Sequence, residues 1–170
     1  MDNDSKKIIF SGINTKYQIK KVIGSTNKVP KIRAGWTDSS FNIEEPIQLQ
    51  SIIDLSNNDI YLKEIGSKLN GYKNQDILKS RYDINTFITV SQAVELLIAC
   101  EMKCFYCNCY TPVLYKNVRD GSQWTLDRTN NDIGHSFSNV VISCLKCNLQ
   151  RKRMSATAFA MSKQMIISRV

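Results

Sequence analysis

Long apolar runs are missing from this sequence. No stretch reaches the roughly 18 consecutive apolar residues that a membrane-spanning helix needs. The opening residues, MDNDSKKIIFSG, contain only a short apolar stretch, which is too brief for the hydrophobic region of a signal peptide. These absences predict an intracellular protein without a membrane partner.

Acidic residues are scarce relative to basic ones. The chain has 23 lysines and arginines against 15 aspartates and glutamates, a formal net charge of +8. Such an excess favours a polyanionic partner, most simply nucleic acid. A soluble protein with a positive face and no specific partner would have the same charge, so the motifs must decide between the two.

Charge and apolar periodicity divide the chain into three regions, with no internal repeat or low-complexity tract. Residues 1–45 are predicted to form a basic arm or short strands. Residues 46–99 carry apolar residues at helical spacing, with a break expected at Gly71 and a separate short helix over residues 75–82. Residues 100–170 are dense in cysteine, asparagine and turn residues and form the third region.

A capping box predicts the helix that leads into the third region. Thr89 precedes the apolar run by one residue, and Gln92 follows it at the spacing of a Ser/Thr-x-x-Glu/Gln box. The helix should run toward Cys100 and deliver the chain into a group of cysteines.

Two C-x2-C pairs, Cys104 with Cys107 and Cys144 with Cys147, are the strongest motif in the chain. In an intracellular protein thiols stay reduced, so cysteines at this spacing indicate metal ligands rather than disulfides. Four thiolates suit a tetrahedral, structural Zn²⁺ that has no open position for catalysis. A register using Cys100 or Cys109 stays open but has the poorer spacing.

The residues between the two pairs predict a strand, a loop, a second strand and a helix. The predicted ranges are 124–128, 129–138, 140–143 and 147–153. At the end of the first strand Asp127 is expected to face Asn148 on the helix and to hold Mg²⁺ or Mn²⁺ with it through oxygen ligands. That ion would stabilise charge on a phosphorane and polarise the leaving 3′-oxygen.

Three basic residues follow on the predicted helix, namely Arg151, Lys152 and Arg153. They are candidates for gripping DNA phosphates, which would make binding salt-dependent. A solvated helix end is an equally good interpretation. Trp124 and Phe137 are expected to pack in the core rather than to contact DNA.

This pattern resembles the HNH (ββα-metal) endonuclease family, in the zinc-stapled form that large DNA viruses and phages encode. The resemblance covers about residues 100–153, with a weaker echo over residues 72–76. It implies an α+β chain whose mainly helical first part precedes a zinc-bracketed, treble-clef-like ββα module that cuts DNA. It also implies that Asp127 and Asn148 are ligands of the catalytic metal and that Asn139 ties the loop down. A viral protein would act in the host cytoplasm or nucleus.

The sequence departs from the family at the position after the aspartate, where the family's general-base histidine is replaced by Arg128. An arginine stays protonated and cannot activate water, but it could clamp the scissile phosphate. His135, the only histidine of the chain, is the candidate general base in the intervening loop. A hydrogen-bonding role in the loop is the competing interpretation of His135.

Two other classes of function stay open. The arginine in place of the base favours a non-catalytic, zinc-binding DNA-binding module. A zinc-stapled protein-interaction domain is the third hypothesis, against which the basic excess counts. A monomer that nicks DNA and a homodimer that cuts both strands are equally compatible with the sequence.

Overall fold

The structure is a computed structural model that describes residues 31–33, 45–54 and 59–165. Contacts divide the chain into the units Met1–Lys31 and Ile32–Val170, and nearly all described residues belong to the second. The basic arm and short strands predicted over residues 1–45 lie almost entirely outside the described residues. The helices are α1 (Glu45–Ile53), α2 (Asp59–Leu78), α3 (Val90–Ala99), α4 (Leu145–Arg151) and α5 (Ala156–Gln164), and the strands are β1 (Trp124–Arg128) and β2 (Val140–Cys144).

This mixture of helix and strand agrees with the predicted α+β class. Helices α1 to α3 come first along the chain, and the strand pair with α4 follows them. Within the described residues, no helix has both the length and the apolar character that crossing a membrane requires.

Helix α2 is continuous through Gly71, contrary to the predicted break and the separate helix over residues 75–82. A glycine inside a helix costs about 1 kcal/mol relative to alanine. Here the residues on either side of it, Leu69 and Tyr72, are buried in the core. Burial of such side chains contributes roughly 1.5–3 kcal/mol each, so tertiary packing outweighs the glycine.

Helix α3 begins with the predicted capping box. The Thr89 hydroxyl accepts a hydrogen bond from the Gln92 backbone N–H at 3.3 Å, and the Thr89 N–H donates to the Gln92 side-chain oxygen at 3.0 Å. The start of this helix could be predicted from the sequence because both partners of the capping box lie within one helical turn. The helix ends at Ala99, one residue before Cys100.

Strands β1 and β2 form an antiparallel pair in which Trp124 lies opposite Cys144 and Arg128 lies opposite Val140. The first strand has the predicted bounds. Helix α4 begins directly after β2, at Leu145, so it starts two residues earlier than predicted and ends at Arg151. Lys152 then adopts a positive φ of 53°, which stops the helix and turns the chain.

The main core joins the helical region to the strand pair. Trp124 is only 1% exposed, as expected for a core residue, whereas Phe137 is 37% exposed and the expectation that it would be buried was wrong. Phe137 lies in a short 3-10 turn (Phe137–Asn139) in which the buried residue is Asn139. The main core consists of Ile52, Tyr61, Ile65, Leu69, Tyr72, Ile88, Ala93, Val94, Leu97, Met102, Val113, Leu114, Trp124, Leu126, Val140 and Ile142.

Gln48 fastens helix α1 to the irregular segment before β1. Its fully buried side chain accepts hydrogen bonds from the backbone N–H groups of Val113 and Leu114, at 3.1 and 3.0 Å, and donates to the Leu114 carbonyl at 3.0 Å. A segment without a strand or helix partner has its backbone satisfied in this way by one amide side chain.

We expect Gln48→Ala to lower the free energy of unfolding by about 1–3 kcal/mol, because buried backbone groups lose their partner. Urea denaturation would measure this change. Gln50→Ala is the matched control on the same helix, since Gln50 is exposed and bonds only the side chain of Asp54. Equal effects of the two substitutions would contradict the assignment of Gln48 as the fastening residue.

Candidate metal centre and basic groove

The four cysteines of the two C-x2-C pairs come together although 36 residues separate the pairs. Their sulfur atoms all lie within 4.8 Å of one another, and Cys107 Sγ is 3.9 Å from Cys144 Sγ. Sulfurs bound to one tetrahedral zinc at about 2.3 Å would be about 3.8 Å apart. The predicted cysteine cluster is therefore confirmed, and it could hold a metal ion such as zinc.

Local backbone geometry builds this cluster. The first pair lies in a tight turn in which the Asn108 N–H donates to the Cys104 carbonyl and Asn108 has a φ of 57°. Cys144 ends strand β2 and caps α4, where its sulfur accepts a hydrogen bond from the Cys147 N–H at 3.3 Å. Tyr106 and Phe159 pack against the cysteines in a small second core.

Crowding of the thiols explains why the cluster suits a cation. A hydrogen bond from the Cys144 thiol lowers the pKa of Cys104, and that same bond raises the pKa of Cys144. Burial, together with a neighbouring thiol, raises the pKa of Cys147 to about 12. Four thiolates in this volume need a positive charge between them, which a divalent metal supplies.

The two remaining cysteines differ in their distance from the cluster. The thiol of Cys100 donates to the Leu97 carbonyl at the end of α3, at 3.5 Å. Cys109 lies beside the cluster, with its sulfur 3.3 Å from that of Cys107. The four sulfurs that share one short-distance cluster are nevertheless those of the two C-x2-C pairs.

Asp127 forms a buried ion pair with Arg151 that the sequence analysis did not anticipate. Its Oδ2 accepts from Arg151 Nε at 2.6 Å and from the Tyr106 hydroxyl at 2.7 Å, and its Oδ1 accepts from Arg151 Nη2 at 2.7 Å. Arg151 is only 2% exposed. The expectation that Arg151 would grip phosphate from the surface needs correction, because its guanidinium points inward.

One nitrogen of Arg151 is surrounded by oxygen atoms. Besides Asp127 Oδ1, Nη2 donates to the carbonyl of Arg128 at 2.7 Å and to Oδ1 of Asn131 at 3.0 Å. A carboxylate, a carbonyl and an amide oxygen thus converge on one positive charge. The guanidinium thereby connects β1, the following loop and the end of α4.

Asn148 lies on α4 but is directed elsewhere. Its amide nitrogen donates to the Thr125 hydroxyl at 3.1 Å and to the Leu126 carbonyl at 3.3 Å. These bonds direct the Asn148 side chain to Thr125 and Leu126, and not to the Asp127 carboxylate as was expected. Asn148 instead fastens α4 to β1, while Arg151, one turn further on, reaches the aspartate.

Asn139 closes the loop between the strands. Its side-chain oxygen accepts from the Thr129 hydroxyl and the Asn130 N–H, both at 2.9 Å. Its nitrogen donates to the carbonyls of Asn130 and Gly134, both at 3.0 Å. The buried amide thus uses both its ends to hold the loop, which orients the residues that follow.

His135 is buried in that loop and bonded to a residue of the helical region. Its backbone N–H donates to Asp76 Oδ2 at 2.7 Å, and its Nδ1 lies 2.9 Å from the same oxygen. Arg128 Nη1 is 3.7 Å from the other oxygen of Asp76 and donates to the Ile133 carbonyl at 3.1 Å. Burial lowers the pKa of His135 despite the nearby carboxylate, which favours the neutral form of the ring.

A basic groove runs beside this loop. Its lining contains six basic residues, one of them the inward-facing Arg151, against a single acidic residue, Asp132. Of the predicted DNA contacts, the groove brings together Arg128, Lys152 and Arg153. Lys79 and Arg81, which follow helix α2, complete the basic side of the groove and were not predicted.

Sequence reasoning missed Asp76 and Tyr106 as well. For Asp76 a signal was available, because position 76 continues the buried stripe of α2 one turn after Tyr72. A carboxylate on a buried helical face requires a hydrogen-bonding or charged partner, so an aspartate at this position predicts a buried polar contact. Tyr106 lies inside the first C-x2-C pair, and its position there does not predict a role in the site. Its importance becomes visible in the structure, where its hydroxyl donates to Asp127.

Comparisons with known proteins give no match. The chain fits no protein-family model, and neither curated proteins nor solved structures show significant similarity to it.

We expect the purified protein to contain one zinc per chain and Cys147→Ser to lose most of it, because a three-thiolate site binds zinc less tightly. Elemental analysis gives the stoichiometry, and thermal unfolding should show a lower midpoint for the variant. Cys100→Ser is the matched control and should keep both the zinc and the midpoint. Loss of zinc from the Cys100 variant alone would overturn the assignment.

Gly134 is predicted to be indispensable for docking the loop on α2. A Cβ at this position would lie 2.4 Å from the Arg81 carbonyl oxygen and 3.0 Å from Asp76 Oδ2. Gly134→Ala should therefore destabilise the protein. Gly71→Ala is the control, since a Cβ there meets nothing within 4 Å and should stabilise α2 by about 0.5–1 kcal/mol. Chemical denaturation distinguishes the two, and a neutral Gly134 variant would contradict the close approach.

Proposed function

We propose that this chain is an HNH-type DNA endonuclease that hydrolyses phosphodiester bonds with Mg²⁺ or Mn²⁺. The observation that carries the proposal is the placement of the loop held by Asn139. This loop bears His135, follows strand β1, which carries Asp127, and supplies one wall of the basic groove. A polyanion in the groove would thus lie beside the residues with acid–base and metal-binding chemistry.

Electrostatics supports DNA as the bound polyanion. Lys79, Lys152 and Arg153 are exposed at the groove, and Arg81 and Arg128 are partly buried in its lining. Such a group neutralises several phosphates without base-edge contacts, so it supports affinity and register rather than sequence recognition. The charge of +8 on the whole chain has the same sign.

The oxygen atoms around Arg151 Nη2 have the donor chemistry of a divalent cation site. Asp127 and Asn131 would hold the ion with the Arg128 carbonyl, and Asn148 would not take part. The ion would stabilise negative charge on the phosphate in the transition state. Metal binding requires the Arg151 guanidinium to move away from these oxygens, because its positive charge already occupies the position that the ion would take.

Other side chains have roles that need no metal. Arg128 lines the groove with a permanent charge, so it can bind a phosphate oxygen as charge builds up during hydrolysis. The neutral imidazole of His135 can accept a proton from water. Asn139 and Asp76 hold the loop that carries this imidazole.

The Asp127–Arg151 ion pair also favours a second candidate function, a non-catalytic zinc-stapled DNA-binding module. Both carboxylate oxygens are already hydrogen-bonded to the guanidinium. Breaking a buried pair of this kind costs several kcal/mol when one partner is left alone. If Arg151 keeps its position in solution, the protein binds DNA without cutting it.

Supercoiled plasmid distinguishes the two candidates. We expect the zinc-loaded wild-type protein to relax or linearise it when Mg²⁺ or Mn²⁺ is added and to leave it intact otherwise. Asp127→Asn should lose cleavage while it retains zinc, and the loss of its ion pair with Arg151 should lower the free energy of unfolding by several kcal/mol. Salt-dependent binding without cleavage in any metal would establish the non-catalytic module instead. Absence of both binding and cleavage would contradict both candidates.

DNA affinity should depend on the groove. We expect the double substitution Lys152→Ala and Arg153→Ala to weaken duplex binding by about ten-fold or more and to reduce the slope of log K against log salt by roughly 2. Lys146→Ala is the matched control, because Lys146 lies on α4, which Lys152 and Arg153 follow, but lines a different surface. Fluorescence anisotropy over a salt series measures both quantities. Equal losses per charge removed in the double variant and the control would indicate attraction by net charge alone.

A further inference from the structure

The carboxylate of Asp76 is the least explained charged group in the described part of the chain. Its side chain is 1% exposed and lies on the face of α2 that also buries Tyr72. A carboxylate in such a place is costly unless it is paired and hydrogen-bonded. Oδ2 accepts two bonds from His135, yet among the described residues Oδ1 has no hydrogen-bond partner and only Arg128 Nη1 near it, at 3.7 Å.

The contact with Asp76 determines which imidazole nitrogen carries the proton. A carboxylate oxygen only accepts hydrogen bonds, so a neutral His135 must donate to it from Nδ1. Nε2 is then the unprotonated nitrogen. The ring cannot easily turn over to exchange the two, because it packs on Tyr72 with the ring centroids 4.6 Å apart.

A pocket of about 310 Å³ lies against this pair. It is lined by Asp76, Arg81 and His135, together with residues of the 83–87 segment and of the strand-connecting loop. Arg81 also lines the basic groove, so the two depressions share that side chain. A phosphate bound by Arg81 and Arg128 would therefore lie close to the imidazole.

We propose that Asp76 is the positioning residue for His135, fixing the Nδ1–H form of the ring so that Nε2 takes the proton of the attacking water. The inference rests on the proposed nuclease function and adds a residue of the helical region to its machinery. As the water oxygen bonds to phosphorus, its proton passes to Nε2. The bond between phosphorus and the leaving sugar oxygen breaks, and solvent protonates that oxygen.

The charges around His135 determine its pH dependence. Burial and Arg128 lower the pKa of His135, and the carboxylates of Asp76 and Asp127 raise it. A base must be neutral to act, so cleavage is lost as the pH falls through this pKa. Removing the charge of Asp76 removes a contribution that raises the pKa, so the acid limb of the pH profile should move to lower pH.

The chain has a single histidine, so ¹⁵N NMR of the ring reports the tautomer without ambiguity. We expect wild type at neutral pH to be protonated at Nδ1. Asp76→Asn should lose this preference and cut plasmid about 10- to 100-fold more slowly, with the acid limb displaced to lower pH and DNA affinity unchanged. His135→Gln should be at least as slow. Asp120→Asn, in a remote turn closed by Ser122, is the matched control and should match wild type.

The outcomes separate this inference from the proposed function. If wild type cuts DNA but its ring is protonated at Nε2, or if Asp76→Asn keeps rate and pH profile, Asp76 is not the positioning residue while the nuclease proposal stands. If wild type shows the Nδ1–H form but cuts no DNA, the nuclease proposal fails and with it the role of Nε2 as a base. The tautomer of the wild-type protein decides the positioning even if Asp76→Asn does not fold.

Discussion

The buried ion pair between Asp127 and Arg151 is the interaction on which the rest of the site depends. Two oxygens and two nitrogens face each other at 2.6 and 2.7 Å, and both side chains are buried. Such a pair is costly to desolvate, and its geometry must be nearly ideal to be tolerated. It fixes the end of α4 against β1 and, through the other bonds of Arg151, fixes the first residues of the loop.

The loop after β1 is held from two sides by different parts of the chain. Asn139 holds it from the 3-10 turn that precedes β2, and Asp76 holds it from helix α2. Because neither contact relies on an exposed side chain, the loop can line the groove with residues 129–132 while His135 stays buried. This division explains how the loop can be held at both ends and still lie at a charged surface.

Features that depend on neighbours in sequence could be predicted, and features that depend on distant partners could not. The cysteine pairs, the capping box of Thr89 and strand β1 all follow from local spacing, and each has the predicted position. The inward turn of Arg151 depends on Asp127, 24 residues earlier. In the sequence, Arg151 followed by Lys152 and Arg153 has the same pattern as a solvated helix end. The burial of Arg151 could therefore not be predicted from the sequence.

The continuity of α2 shows the same limit. Gly71 weakens the helix locally, but the core residues on both sides of it keep the chain helical as far as Leu78. Only because the helix continues does Asp76 arrive beside His135, 59 residues further along. A local rule about glycine therefore failed at the place where the helical region reaches the candidate site.

The shared core has a consequence for how this protein can be divided. Trp124, Leu126 and Ile142 of the strand pair pack in one cluster with residues of α1, α2 and α3. A fragment cut near residue 100 would retain all four clustered cysteines, yet it would expose that apolar face and strip His135 of its carboxylate. The segment that is needed to bind the metal is thus shorter than the segment that is needed to form the complete core. Zinc content alone would not report whether such a fragment is native.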